Sequence, residues 1–107
     1  METSVAASIC KALGDINRLK IIKFLTNGEK CACEILEMLE ITQPTLSHHM
    51  KILCECGLVS AKKDGKWSYY TLNCDKFSKF KDFIESFSCI CQKDSGSNER
   101  NSDCCEA

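Results

Sequence analysis

Apolar residues recur at helical spacing along most of the chain, in segments separated by short turn signals. The pattern predicts a first helix over residues 4–13 and a second from Asp15, its N-cap, to Thr26. In the second helix the predicted apolar face consists of Leu19, Ile21, Ile22 and Leu25. A short third helix is predicted over about 32–39, and a fourth runs from its N-cap at Thr42 to about Cys56. Gly57 then ends the fourth helix, so the first half of the chain is expected to be helical.

Two short β-prone runs follow, over 58–62 and 67–72. Asp64-Gly65 between them is a dipeptide typical of tight hairpins in which both central residues take positive φ. Asp75 is the predicted cap of a last helix, whose apolar stripe comprises Phe77, Phe80, Ile84 and Phe87. Such a stripe is too apolar to face water in a small domain, so we expect a homodimer built from the first and last helices.

These elements predict a mainly α fold with a small β-hairpin (α+β), in the order α-α-α-α-β-β-α, which is that of a winged helix-turn-helix. The predicted DNA-binding and dimerisation domain covers residues 1–91. Residues 92–107 are polar and lack apolar periodicity, so a disordered, cysteine-containing tail is expected there.

The ten cysteines would by number suggest a secreted disulfide scaffold. Residues 1–8, however, show no export signal, and no apolar run reaches the ~18 residues of a membrane span. Most cysteines also form close pairs, which staple no long loop. We therefore expect free thiols in a reducing cytoplasm, available to soft metals or to redox chemistry. The pairs are 31/33, 54/56, 89/91 and 104/105, with Cys10 and Cys74 alone.

The net charge of −1 excludes a uniformly basic nucleic-acid binder, but lysines are concentrated between residues 43 and 73. On a wheel of about 100° per residue, Leu46, Met50 and Leu53 of the fourth helix share a core face. The opposite face is polar and suits base edges and phosphates, although an ordinary solvated helix has the same pattern. His49 lies near the core boundary and is interpreted as structural in preference to base-reading. The candidate DNA contacts are Gln43, Thr45, Ser47, His48, His49 and Lys51, with Lys63 and Lys66 beside the hairpin turn.

The segment GEKCACEILEMLEITQPTLSHHMKILCECGLVSAKKDGKWSYYTL resembles the ArsR family of winged-helix metal- and metalloid-responsive repressors. The motifs that make this resemblance specific are ExCxCE, TQPTLSHHM and a DGKWxYY wing, which occur together in register. The match extends from about Lys11 to about Phe87. The resemblance implies a dimeric repressor of operator DNA. In the arsenic-responsive branch, thiols at this helix start bind As(III) or Sb(III) as inducer, which implies Cys31 and Cys33 as ligands here. Leu36 stands where some members carry a third cysteine.

Residues i and i+2 of a helix project about 200° apart, so Cys31 and Cys33 could not grip one ion from a regular helix. Ion binding is therefore expected to unwind or bend the first turn of the helix and to shift the recognition helix. In a dimer this shift would change the ~34 Å spacing between the two recognition helices. The third ligand stays open between Cys10, Cys54, Cys56, water and a small thiol. A tail site is the alternative, formed from Cys89, Cys91, Cys104 and Cys105.

Other functions are also compatible with this pattern. A cadmium, lead or zinc sensor, or a redox sensor in which two cysteines bridge, would use the same fold. A thiol-rich metal buffer would need no recognition face, and two buried structural cysteines would need no ligand. An enzyme is the least favoured class, since no nucleophile–base constellation or phosphate loop is present in the sequence.

Overall fold

The computed structural model describes residues 1–89 and confirms a mainly helical fold with a small antiparallel sheet. None of the helices in this part of the chain is long and apolar enough to cross a membrane. The predicted tail, 92–107, and the predicted domain boundary at 91 lie outside the described residues. In chain order the elements are α1 (Thr3–Leu13), α2 (Ile16–Leu25), β1 (Lys30–Cys31), α3 (Ala32–Leu39), α4 (Gln43–Glu55), β2 (Val59–Asp64), β3 (Trp67–Leu72) and α5 (Cys74–Glu85).

The first four helices enclose one apolar core. Asp15 caps α2 as predicted, because its carboxylate accepts hydrogen bonds from the backbone N–H groups of Asn17 and Arg18 at 2.9 and 3.1 Å. The prediction that Leu19 faces inward was wrong, since 52% of this residue is exposed. The buried side chains of α2 are Ile21, Ile22 and Leu25, and Leu19 lies more than about 100° around the helix from the centre of that face.

The connection between α3 and α4 forms the helix-turn-helix. Glu40 ends α3 in the left-handed conformation, with φ 57°, and its N–H donates to the carbonyl of Leu36 at 2.8 Å. Thr42 caps α4 as predicted, accepting from the N–H of Thr45 at 3.4 Å. Gly57, with φ 85°, ends the turn after α4, so the predicted bounds of this helix are confirmed.

The sheet has the strand order β1-β3-β2, with both pairs antiparallel. The two-residue β1 was not predicted. The hairpin turn was assigned one residue too early, because Asp64 pairs with Trp67 and belongs to β2. The turn is Gly65-Lys66, in which Gly65 alone has a positive φ, 69°, as a type II′ turn requires.

The last helix begins one residue after Asn73, whose side chain accepts from the N–H of Lys76 at 3.1 Å. The prediction that Asp75 caps this helix was therefore wrong, and Asp75 lies in the first turn. Phe77 and Phe80 pack against the core. No residue of α5 is fully buried, and Phe87, just beyond the helix, is 65% exposed.

Candidate functional site

The buried and exposed faces of α4, the candidate recognition helix, agree with those predicted from the helical wheel. Leu46, Met50 and Leu53 are buried in the core. The polar residues on the other side are exposed: Gln43, Thr45, Ser47, His48 and Lys51. Capping by Thr42 and the position of Pro44 in the first turn fix where α4 begins, so this polar face is presented near the N-terminus of the helix.

His49 departs from the candidate DNA-contacting set. Only 7% of this residue is exposed, and its Nδ1 lies 3.1 Å from Nη1 of Arg18 in α2. Nε2 lies 3.9 Å from the carboxylate of Asp15, while Nε of Arg18 donates to the carbonyl of Ala12 at 2.6 Å. The inclusion of His49 among the candidate DNA contacts was therefore wrong, because its ring faces α2 and links α4 to the start of α2.

The charge state of His49 follows from its partners. An arginine guanidinium only donates hydrogen bonds, so Nδ1 of His49 accepts from Arg18 and is unprotonated. Burial is the largest cause that lowers the pKa of His49, and the positive charges of Arg18 and His48 lower it further, against the opposing effect of Asp15. Arg18 was not singled out from the sequence, because a lone arginine in an amphipathic helix carries no signal of its partner.

The hairpin of β2 and β3 has the form of a wing. Lys66 is exposed in its turn and Lys63 is exposed near the end of β2, where cations can meet phosphates. Trp67, the first residue of β3, is 51% exposed at the same end. Farther along the outer strand, Nζ of Lys62 lies 3.9 Å from the carboxylate of Glu29, which precedes β1.

The two predicted ligand thiols lie side by side, with 2.7 Å between Sγ of Cys31 and Sγ of Cys33. Cys31 is outside the helix: it is the last residue of β1 and the N-cap of α3, with an extended backbone at φ −87° and ψ 162°. The expectation that ion binding must unwind the first turn applied to two cysteines in one regular helix, and that condition does not hold. The distance between the two sulfur atoms is already shorter than the about 4.6 Å that one ion bound to two thiolates can span. The first turn of α3 therefore need not unwind to bring the two sulfur atoms together.

Glu34 holds this arrangement in place. Its carboxylate accepts from the N–H of Cys31 at 2.9 Å, which is half of a capping box, and this hydrogen bond is the largest cause that lowers the pKa of Glu34. The hydrogen bond that the Cys33 thiol donates to Sγ of Cys31 raises the pKa of Cys33, with further increases from desolvation and from the charge of the neighbouring sulfur. The pair therefore resists losing both protons in the absence of a bound ion.

The structure brings no third ligand to this pair within the described residues, where no cluster of three metal-ligating side chains occurs. Cys10 is exposed on α1, and Cys54 and Cys56 are half-buried near the end of α4. Burial raises the pKa of Cys54, and Cys56 donates to the carbonyl of Leu53 at 3.4 Å. Of the predicted tail ligands, Cys89 is half-buried, while Cys91, Cys104 and Cys105 lie outside the described residues.

Comparison with known proteins places this architecture in one family. Residues 15–61 match the family model described as "Bacterial regulatory protein, arsR family". The chain is 47% identical over 72 residues to an uncharacterised HTH-type transcriptional regulator of Methanocaldococcus jannaschii, covering 66% of this chain and 81% of that protein. It is 45% identical to an arsenical resistance operon repressor of Staphylococcus xylosus, covering 73% of this chain and 71% of the relative.

A further relative and a solved structure bear on ligand and assembly. A cadmium resistance regulatory protein CadC homologue of Staphylococcus aureus is 38% identical, covering 63% of this chain and 56% of the relative. The solution structure of Mb0332 from Mycobacterium bovis, described as a homodimeric winged helix-turn-helix DNA-binding domain, superposes with a TM-score of 0.66 at 25% identity, covering 78% of this chain and 77% of that one. With a helix-turn-helix, a wing and these relatives in agreement, the chain belongs to the ArsR family of bacterial regulators and is a winged-helix, DNA-binding transcription regulator, not an enzyme.

Proposed function

We propose that this protein is a homodimeric repressor of operator DNA that is released when trivalent arsenic or antimony binds Cys31 and Cys33. The observation that carries the proposal is the pair of adjacent thiols, 2.7 Å apart, at the start of the helix that precedes α4. A partly exposed pair gives an ion access, and the pair lies at the start of the helix that precedes α4 in the chain. The arsenical resistance repressor among the relatives supports this choice of ligand. Reduced thiols of this kind suit a cytoplasmic location.

The chemistry of the thiol pair favours a metalloid. Arsenous acid, As(OH)₃, condenses with two thiols to give (RS)₂As–OH and two molecules of water, so no net proton is released. A divalent cation such as Cd²⁺ displaces two protons when it binds the same pair. The raised pKa of the Cys33 thiol favours the protonated pair, which is the form that the condensation with arsenous acid uses. Cadmium is the second candidate, supported by the cadmium resistance relative.

DNA binding is proposed to use the exposed face of α4 and the wing. The proposed DNA-contacting residues are Gln43, Thr45, Ser47, His48 and Lys51 on α4, with Lys63 and Lys66 at the end of the hairpin. The homodimeric structural neighbour supports a two-fold arrangement that presents two α4 helices to successive major grooves. The exposed apolar side chains of Ile84 and Phe87 support a dimer contact that includes α5.

The test is fluorescence anisotropy on labelled DNA from upstream of the protein's own gene, titrated in parallel with arsenite, antimonite, cadmium and an oxidant. Cys33→Ser should bind the DNA as the wild type does and should not respond to arsenite, because a hydroxyl fits the site but is a poor ligand for a soft ion. Cys74→Ser is the matched control, since Cys74 is an exposed thiol at the start of α5 and belongs to neither β1 nor α3.

The outcomes separate the candidates. Release by arsenite in the wild type and in Cys74→Ser, with none in Cys33→Ser, supports the proposal. Removal of the tail after Gln92 should leave both DNA binding and release in place. If the truncated protein ignores arsenite while Cys33→Ser still responds, the sensing site belongs to the C-terminal thiols. Release by cadmium alone, accompanied by proton release in unbuffered titration, would establish the second candidate.

A further inference from the structure

The thiol pair is connected to the wing through the sheet. Cys31 occupies β1, which pairs with β3, so that Lys30 lies opposite Tyr70 and Cys31 opposite Tyr69. β3 is the central strand of the sheet and is also one arm of the hairpin that ends at Gly65-Lys66. The same strand is therefore hydrogen-bonded to the proposed ion site on one side and to the lysine-bearing strand of the wing on the other.

One face of the sheet connects the site to the wing. Directly opposed residues of antiparallel strands project from the same face, so Cys31, Tyr69 and Lys62 form a cross-strand row. Opposed Cβ atoms in such a row are about 4.5–5.5 Å apart. The ion pair between Lys62 and Glu29, at 3.9 Å, links Lys62 of this row to the residue that precedes β1. A group bound at Cys31 therefore has Tyr69 as its immediate neighbour on the sheet.

The same face extends to Trp67. Residues i and i+2 of a strand share a face, so Trp67 stands next to Tyr69 in the direction of the hairpin turn. As the diagonal neighbour of Cys31, it lies about 7–8 Å from it. Trp67 is the only tryptophan of the chain, and half of it is exposed. Its emission can therefore report on the wing without competing signals.

We infer that the ion bound by Cys31 and Cys33 acts on DNA through the wing, and that Tyr69 is the residue that couples the two. This inference rests on the proposed function. Cys33 is fixed in the first turn of α3, whereas Cys31 is held only by a two-residue strand and by Glu34. When an As–OH group is added between the sulfur atoms, β1 and the Tyr69 ring are the parts that must adjust. That adjustment moves β3, and with it the wing, relative to α4.

The first test is an arsenite titration of the wild-type protein without DNA, followed by Trp67 emission. The titration should change the emission intensity or maximum at one equivalent per chain. Cys33→Ser should show no change, and Cys74→Ser should behave as the wild type. If arsenite releases DNA but leaves Trp67 emission unchanged, the coupling does not pass through the wing and the inference is overturned.

The second test measures coupling as the ratio of DNA dissociation constants with and without saturating arsenite. In the wild type this ratio should fall in the about 5–150-fold range usual for allosteric pairs, and Tyr69→Val should reduce it to less than about threefold. Arsenite affinity without DNA should stay within about threefold of the wild type, because Tyr69 supplies no ligand atom in this scheme. Valine keeps a strand-favouring residue at the position.

Thr71→Val is the matched control. Thr71 is exposed on the same strand and face as Tyr69, but it lies opposite Ser60 and beyond the end of β1. This variant should keep the wild-type ratio. A wild-type ratio of one would refute the proposed function itself, whereas a normal wild-type ratio retained in Tyr69→Val would refute only the role of Tyr69. Should Tyr69→Val fail to fold, the wild-type Trp67 titration still tests whether the site acts through the wing.

Discussion

Replacing His49 by leucine should make the protein less stable at neutral pH and should remove one component of its sensitivity to acid. In the wild type, Nδ1 of His49 accepts from Nη1 of Arg18 at 3.1 Å, and the ring is buried between α4 and the start of α2. Leucine provides an apolar side chain of similar length but has no hydrogen-bond acceptor. Arg18 would then retain its hydrogen bond to Ala12 and lose the one that joins it to α4.

The size of the effect follows from that one bond. A hydrogen bond with a charged partner contributes about 1.5–3 kcal/mol, and the lower end applies because Arg18 is only half-buried and can turn to water. We expect His49→Leu to lower the free energy of unfolding by about 1.5 kcal/mol. For a domain of this size that corresponds to a decrease in Tm of roughly 6–12 °C.

The pH dependence has a definite sign. The folded protein binds a proton at His49 less readily than the unfolded chain does, because the pKa of His49 is lowered from its ordinary value of 6.5. Its contribution to stability is therefore complete above pH 6.5 and is lost as the pH falls below that value, down to the folded-state pKa. Protonation also removes the acceptor that Arg18 uses.

The assay is thermal unfolding followed by circular dichroism between pH 5 and pH 8, at one protein concentration because a dimer's Tm depends on it. The difference in Tm between wild type and His49→Leu should shrink as the pH falls. His48→Leu is the control, since His48 is the adjacent residue of α4 and is exposed. If the wild type and His49→Leu show parallel profiles over this range, the neutral, accepting state assigned to His49 is wrong.

Three further predictions concern DNA, assembly and the thiols. DNA affinity should fall steeply with salt, and Lys63→Ala should weaken binding about equally for all sequences, whereas His48→Ala should also reduce operator preference; unchanged affinity in both variants would refute the proposed docking. Sedimentation at micromolar concentration should show a dimer, and a monomer alone would contradict the proposed assembly. Cys31→Ala should speed alkylation of Cys33 at pH 7.5, measured by peptide mass spectrometry, because it removes the largest cause of the raised pKa of Cys33; an unchanged rate would show that the two thiols do not interact.

The helices could be predicted from the sequence because their apolar residues repeat over several turns and their ends carry specific caps. Asp15 and Thr42 accept from the backbone as their positions predict. The inward face of α4 could be predicted for the same reason, since Leu46, Met50 and Leu53 repeat over two turns. The weaker α2 pattern allowed Leu19 to be placed inward, because one apolar residue beside a buried face does not reveal where that face ends.

Cap and turn assignments failed where two neighbouring residues offered the same chemistry. Asn73 and Asp75 can both cap a helix, and the structure uses Asn73, whose side-chain amide also donates to the carbonyl of Gly57 at 3.3 Å. Asp64-Gly65 and Gly65-Lys66 are both acceptable hairpin turns, and the pairing of Asp64 with Trp67 decides between them. The cap is associated with a contact to Gly57, far away in the chain, and the turn with the pairing register of the two strands, and local propensity contains neither.

The element whose absence from the prediction mattered most is β1. A two-residue strand has no periodicity that a sequence pattern could reveal. Its register with Tyr69 and Tyr70 depends on where the wing folds back, some forty residues later in the chain. Without β1, the sequence places Cys31 only at the start of a helix, and a mechanism that begins with helix unwinding follows. With β1 in place, Cys31 is extended, the two sulfur atoms are already adjacent, and the sheet gives the site a direct connection to the wing. The candidate ligand residues could thus be named from the sequence, whereas the route by which we propose that they act on DNA depends on one short strand pairing.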